Sequence, residues 1–383
     1  MPANNLALLI PTVISTIQET ARNTGFILNG VARDQRTDAA SQGQTVTYPE
    51  LPDIAAVNVV PGVTPPDAAG ATAVAKTLTL TNHKAGQFKL TGEDERGMAS
   101  LGQNYRSEQI NLAVQAVVDA IAAEAFNLMV LGAGQAFGTP STDPFATTPN
   151  ILVDAWKSLA DGKAPDSGRI GILSTNHYAS AAKLTQFQKL SEAPRGTDFA
   201  AGRLGMLSNF NVGYDQLAGS TQTTVAAGGY LVNQVGLVAG AKDITVDTGT
   251  GGFAAGDVIT IAGSFIPGTA TLAQYVVKSA TATIVTLNMG LWTAVADNAA
   301  IVRIATHVRS VLAHPMATYL SVRPSAQPSG GDAAAMEQII RDPVTGLTMR
   351  LAYYKEYHQG VWEVSAVYGG IVRRPSWVRT LIS

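Results

Sequence analysis

Cysteine is absent from all 383 residues, which excludes disulfides and thiolate metal sites at once. Large secreted proteins can lack cysteine too, so this only leans towards a reducing cytoplasm. Charge is scarce as well: 14% of residues are charged and the net charge is -2, against about a quarter charged in an ordinary domain. Charged surface keeps soluble monomers apart. A chain this poor in charge therefore either buries much of its surface against other copies or carries a large core under a Ser/Thr/Asn/Gln-rich surface. No Lys- or Arg-rich arm stands at either end. Arg373, Arg374 and Arg379 are the one basic cluster, a modest patch beside what counterion release from nucleic acid needs, and it reads as a solvated or inter-subunit face. Long apolar runs are missing too. Leu6–Ile10 is short, follows no basic region and stops at Pro11, so no signal peptide is expected. Nothing approaches the ~18 apolar residues of a bilayer span.

Chemical motifs are missing in the same way. No G-x-S-x-G elbow, Walker loop or H-E-x-x-H helix occurs. Gly249, Gly251 and Gly252 lead through Phe253 into strand, which reads as a β-turn rather than a phosphate cradle. His83, His177, His307, His314 and His358 are scattered without metal-ligand spacing. Glu93, Asp94 and Glu95, followed by Arg96, form the one dense acidic run. Carboxylates adjacent in sequence rarely converge on one substrate, and a helix N-terminus favours acidic residues, so this run reads as the lead-in to a helix and a possible inter-subunit charge contact. No catalytic, cofactor-binding or metal-ligating residue is assigned, and the chain is expected not to be an enzyme.

What is present is apolar patterning: 46% of residues are hydrophobic, ample for a sizeable core and two or three units. Ile10, Val13, Ile14, Ile17 and Ala21 share one face of a helix over 4–24. Thr45–Glu50 reads as a strand, and residues 76–90 alternate, with Leu78 and Leu80 on one face. Between them Pro52, Pro61, Pro65 and Pro66 mark a tip. Together these make a long extended hairpin, which cannot form its own core and needs a partner surface. From Gln103 to Leu131 there is no proline, and Ile110, Val114, Val117, Val118, Ile121, Ala125, Leu128 and Met129 keep helical period. That predicts a helix of roughly 40 Å, ended by Gly132 and Gly134. Residues 135–147 read as loop. Thr148-Pro149 opens a helix to Gly162, 169–173 is a buried strand, Asn176–Leu184 a helix, and 185–228 is irregular. From 240 to 305 short strands alternate with Gly/Thr/Ala turns, the texture of an inserted small barrel or sandwich. Two alternating strands close the chain, one through Met349, Leu351 and Tyr353, the other through Trp362, Val364, Ala366 and Tyr368. His358-Gln359-Gly360 forms the turn between them.

This order of elements resembles the α+β shell fold shared by tailed-phage and herpesvirus capsid proteins and by encapsulins. Thr45–Glu50 looks like the strand entering that family's E-loop, and Phe88–Arg96 like its exit towards the spine helix. Asp154-Ala155-Trp156 and Asn176-His177-Tyr178 look like A-domain elements, and Tyr368-Gly369 with Arg374-Pro375 like the closing strand. Gly256–Thr260 resembles a barrel strand of the short-tailed Salmonella-type phage coat proteins, which carry a β-barrel insertion; here the insertion is about half the expected length.

The resemblance implies an N-terminal helical arm (1–44), an E-loop hairpin (45–90) and a P-domain with the spine helix (91–148). An A-domain (149–239), the insertion (240–305) and a closing A-domain/P-domain segment (306–383) follow. It implies a major capsid protein that assembles through pentamers and hexamers into an icosahedral shell around phage double-stranded DNA. Scaffolding and portal proteins would be partners, DNA would be contacted weakly, and no membrane would be involved. Assembly would take place in the host bacterial cytoplasm and the product would be the virion capsid. Tyr48, Glu50, Lys76, Glu93, Asp94, Glu95, Arg96, Arg373 and Arg374 are the candidate inter-subunit contacts. An encapsulin-like compartment, or an adhesive carbohydrate-binding phage protein using aromatics of the insertion (Phe253, Phe265, Tyr275, Trp292), are the alternatives.

Overall fold

A computed structural model describes residues 26–383 apart from 35, 51–55, 57, 59, 60, 62–71, 100–103, 185–203, 225–227, 248, 343 and 344. The helix expected over 4–24, most of the proline-rich tip and much of the irregular 185–228 stretch lie outside the described residues. The long helix runs Asn104–Leu131, with Ile110, Val114, Val117, Val118, Ile121, Ala125 and Met129 buried as their period requires. Its 28 residues span about 42 Å. Contrary to the sequence expectation, Arg106–Leu131 has the length and hydropathy of a bilayer span, but half of its most apolar window is buried inside the protein. Its apolar residues are interleaved with Gln115, Asp119 and Glu124 rather than consecutive. It is the core helix of this fold.

That helix backs a six-stranded sheet. The central strand, Gln359–Val372, is flanked along its first half by Thr348–Glu356 and Asn82–Thr91 and along its second by Thr318–Arg323. Ala32–Asp34 and Ala334–Arg341 form the edges. Trp362, Val364, Ala366 and Tyr368, the alternating set expected to face inward, are all buried. Helix and sheet meet closely at Gly86, where an added Cβ would lie 2.5 Å from the Ala113 carbonyl oxygen. Two expectations are corrected here. The alternation over 76–90 is not one hairpin arm: Val74–Thr79 belongs to the hairpin, whereas Asn82–Thr91 pairs with the central strand. The closing turn is Tyr357-His358, with His358 at φ 55°, and Gln359 and Gly360 are already strand.

A second sheet, twelve-stranded, carries the other half of the chain. Gln135–Gly138, expected as loop, is a buried strand between Leu272–Ala280 and Val378–Ile382. The sheet continues through His307–Ala313 and Ile170–Leu173 to Phe210–Tyr214, a strand within the stretch read as irregular. Helices Asn150–Asp161 and Thr175–Lys183 pack beside it. Pro149 rather than Thr148 holds the cap position of the first, and Ser174 caps the second by accepting the His177 N–H at 3.2 Å.

Arg379 is not part of a surface patch. It is fully buried, and its guanidinium donates to Ser158 O and Ser158 Oγ, both at 2.9 Å, and to Val378 O at 3.0 Å. Burial pulls its pKa down to about 9. The carbonyls at the end of helix Asn150–Asp161 are natural acceptors for this cation.

The β-rich stretch has a core of its own, from Tyr230 to Ile301, centred on Ile259, Ile261, Tyr275, Val277, Val285 and Leu287. Asp243–Thr245, Ile284–Leu287, Leu272–Ala280, Val258–Phe265 and Ile301–Arg303 pair in that order. Isolated bridges Leu231–Ala300 and Val232–Val246 set the 231–232 segment between the residues next to the last strand and the first, which brings the pairing round into a circuit. The unit is tied to the body where Leu272–Ala280 pairs with Gln135–Gly138, and where Asn288 Nδ2 donates to the carbonyls of Leu131 (2.6 Å) and Ala133 (2.9 Å).

Candidate assembly site

Thr45–Glu50 and Val74–Thr79 pair antiparallel as a two-stranded sheet of their own. Their residues are strand formers (Thr, Val and Tyr), yet Leu78 is the one buried side chain among them. Leu78 and Leu80 sit with Ala40 and Val367 in a small apolar seat at the foot of the ribbon, with Val46, Tyr48, Tyr319 and Ile371 around it. Beyond this seat Thr45, Thr47, Pro49, Val74, Ala75, Lys76 and Thr77 of the described ribbon are exposed.

Four of the nine sequence candidates converge at this foot. Tyr48 lies directly opposite Lys76 across the ribbon. The Glu50 carboxylate lies 4.0 Å from Lys76 Nζ and 3.6 Å from an Arg373 guanidinium nitrogen. Arg373 also stands over the Tyr48 ring at 5.0 Å, and that ring tilts against Tyr319 at 5.5 Å. Burial raises the Tyr48 pKa, opposed by Arg373. The Arg373 amide donates to Ala317 O at 2.7 Å, which fixes the arginine on the body while its side chain holds the ribbon. These pairs are partly exposed, and each contributes about 0.5–1 kcal/mol at most. The clamp orients the ribbon without enclosing it.

The acidic run lies elsewhere, on helix Gly92–Ala99. Thr91 caps this helix: its Oγ and N–H donate to Asp94 Oδ2 at 2.7 and 3.1 Å, and these bonds hold the Asp94 carboxyl below its ordinary pKa. Glu95 pairs with Arg106 of the long helix at 2.9 Å, whereas Glu93 and Arg96 are exposed. Arg374 turns away from its neighbour Arg373 and stacks on Trp377 at 4.6 Å. Tyr319 and Val367 also line this foot and are not legible in the sequence. Nothing local marks them, because they join the ribbon only through pairing distant in sequence.

The histidines are held one by one rather than gathered. His177, buried, has Nδ1 2.7 Å from Ser310 Oγ and Nε2 2.7 Å from Ser383 Oγ. Of the aromatics that an adhesive face would need, Tyr275 is fully buried, Phe253 and Trp292 pack onto the core of the β unit, and Phe265 is exposed.

No family model matches this sequence, and no curated protein matches it. Among solved structures, the chain is similar to one from Mycobacterium phage Che8, with 13% identity and a TM-score of 0.48 over 94% of this chain and 90% of the other. It is similar to the capsid structure of the cyanophage P-SCSP1u, with 10% identity and a TM-score of 0.49 over 91% and 86%. A virus-like particle from Pyrococcus furiosus is similar at 9% identity and a TM-score of 0.44 over 97% and 99%. With TM-scores below 0.5, these likenesses leave the functional question to the chain's own surface.

Proposed function

We propose that this chain is the major capsid protein of a tailed bacteriophage, assembling through pentamers and hexamers into an icosahedral shell around double-stranded DNA. The observation that carries this reading is the ribbon Thr45–Glu50/Val74–Thr79, oriented by a clamp at its foot and left without a second layer among the described residues. Such a ribbon is completed by a neighbouring copy, which covers strand edges that would otherwise pair without control. Low charge supports the same reading, since 14% charged residues leave wide neutral surface for contact between copies.

In this reading the ribbon is the E-loop, the helix Asn104–Leu131 the spine, and the closed circuit of strands the barrel insertion of the Salmonella-type coat subgroup. Head-to-tail contacts of one chain close into rings, and many modest contacts per subunit act together. Glu93, Arg96 and the outer faces of Tyr48, Glu50, Lys76, Arg373 and Arg374 are the contact candidates. DNA contact is weak and salt-sensitive, because Arg379 is turned inward and leaves the basic cluster to Arg373 and Arg374. Scaffolding and portal proteins take part in assembly in the host cytoplasm. An adhesive role is less supported, since Tyr275 is buried and Phe253 and Trp292 pack onto the core of the β unit, leaving Phe265 exposed among the four aromatics.

Negative-stain microscopy with sedimentation velocity on the purified chain, alone and with its neighbouring gene products, tests the proposal. Closed shells, tubes or five- and six-fold rings are expected. A stable monomer or dimer under every condition would overturn it. Shells that hold a co-purified enzyme instead of DNA would replace the virion by a compartment.

A further inference from the structure

The β unit joins the body at a seam with an unusual buried charge content. The chain runs into the unit past Thr221–Gln222 and returns along His307–Ala313, with Gln222 opposite His307. The turn at Gly256-Asp257 sits against this pair. Asp257 is 2% exposed; its carboxylate accepts Gln222 Nε2 at 3.1 Å and the Ala254 N–H at 2.8 Å, and it pairs with Arg303 at 3.1 Å. Arg309, 4% exposed, donates Nη2 to Ser220 Oγ at 3.1 Å, while its Nε and Nη1 find no acceptor among the described residues. His307, 2% exposed, has Nδ1 2.7 Å from the Ala305 carbonyl, so Nδ1 carries the proton. Its Nε2 is buried and has no partner among the described residues. Asp257 is thus ion-paired with Arg303, and the charge of Arg309, unpaired to it but close enough to be felt, lies beside a neutral imidazole.

We propose that this cluster is an acid-released lock: with His307 neutral it fixes the β unit on the body, and proton uptake by His307 opens the seam. A proton added at Nε2 would create an N–H without an acceptor among the described residues, in a cluster that already carries an excess positive charge. The groups facing the imidazole act in both directions. Burial lowers its pKa most and Arg309 lowers it further, whereas the Ala305 carbonyl and Asp257 raise it; the net direction is down. In the open seam the imidazole returns to about 6.5. The closed seam therefore binds fewer protons than the open one. Its stability is complete above about pH 6.5 and is lost as pH falls towards the depressed closed-state value, with one proton limiting the slope to about tenfold per pH unit.

Amide hydrogen exchange on the full chain between about pH 7.5 and pH 5, corrected for the intrinsic chemical rate, reads the lock directly. Opening at Gln222, Asp257 and Val308–Ala313 is expected to rise by up to about tenfold per pH unit below about pH 6.5, while the Tyr275 amide inside the unit does not follow. His307→Asn keeps a donor for the Ala305 carbonyl and cannot titrate, so its profile is expected to be flat. A flat wild-type profile, or an unchanged slope in H307N, overturns the proposal. Should H307N fail to fold, the ring resonances of His307 in the wild-type chain decide. A midpoint below the ordinary histidine value supports the lock, and one at or above it overturns it.

Discussion

The ribbon Thr45–Glu50/Val74–Thr79 and the β unit between Tyr230 and Ile301 are both made of short antiparallel strands rich in Val and Thr. They differ in how much they bury. The ribbon's strands bury Leu78 alone, whereas the unit encloses sixteen apolar residues. Strand chemistry is nearly the same in the two. Closure makes the difference: a circuit of paired strands has an inside, and a two-stranded ribbon has none. One projection encloses a core of its own, and the other does not.

The largest effect is expected where the unit's core is emptied. Tyr275 is fully buried; its hydroxyl lies 2.8 Å from Ser264 Oγ and accepts the Trp292 N–H at 2.9 Å. Tyr275→Ala should cost about 3–5 kcal/mol and Tyr275→Phe about 1–3 kcal/mol, read by urea unfolding. Equal, small losses for both would mean that the unit is held from outside. Next comes the ribbon's seat. Leu78→Ala is expected to cost about 2 kcal/mol, the low end for such a truncation, because the ribbon can fray while the body stays folded. Arg373→Ala should lower stability by about 0.5–1 kcal/mol through the Tyr48 and Glu50 contacts, and impair assembly further by freeing the ribbon's angle. Smallest of all for folding is Val74→Asp at a 53% exposed position: unfolding should shift by no more than about 0.5 kcal/mol, yet particle yield by sedimentation should collapse. Normal particles from this variant would separate the ribbon from assembly.

Apolar periodicity encodes part of this fold. The long helix, the closing strands and the β unit's strands stand where the apolar spacing of Ile110 to Met129, Trp362 to Tyr368 and Val258 to Val285 puts them. It failed where a partner far along the chain decides. Phe88 and Leu90 keep the phase of Leu78 and Leu80, and only pairing with Gln359–Val372 takes residues 82–91 out of the hairpin. Gln135–Gly138 lies in a loop-like composition and becomes strand because two distant strands flank it. Arg379 looked like surface because nothing in the sequence marks a guanidinium whose acceptors are backbone carbonyls. For the ribbon's foot, residue type pointed to Tyr48, Glu50, Lys76 and Arg373 one at a time. Their convergence follows from the register of the ribbon and its position over Tyr319.

Hydrogen exchange of the ribbon amides, Thr45–Glu50 and Val74–Thr79, in dispersed subunits and in sedimented particles tests most directly whether a neighbouring copy completes this fold. Protection is expected to rise by about a hundredfold or more on assembly, while that of Tyr275 and Val277 stays where it was in the free chain. Ribbon amides that exchange equally fast in both states, or that are already fully protected in the free subunit, would contradict it.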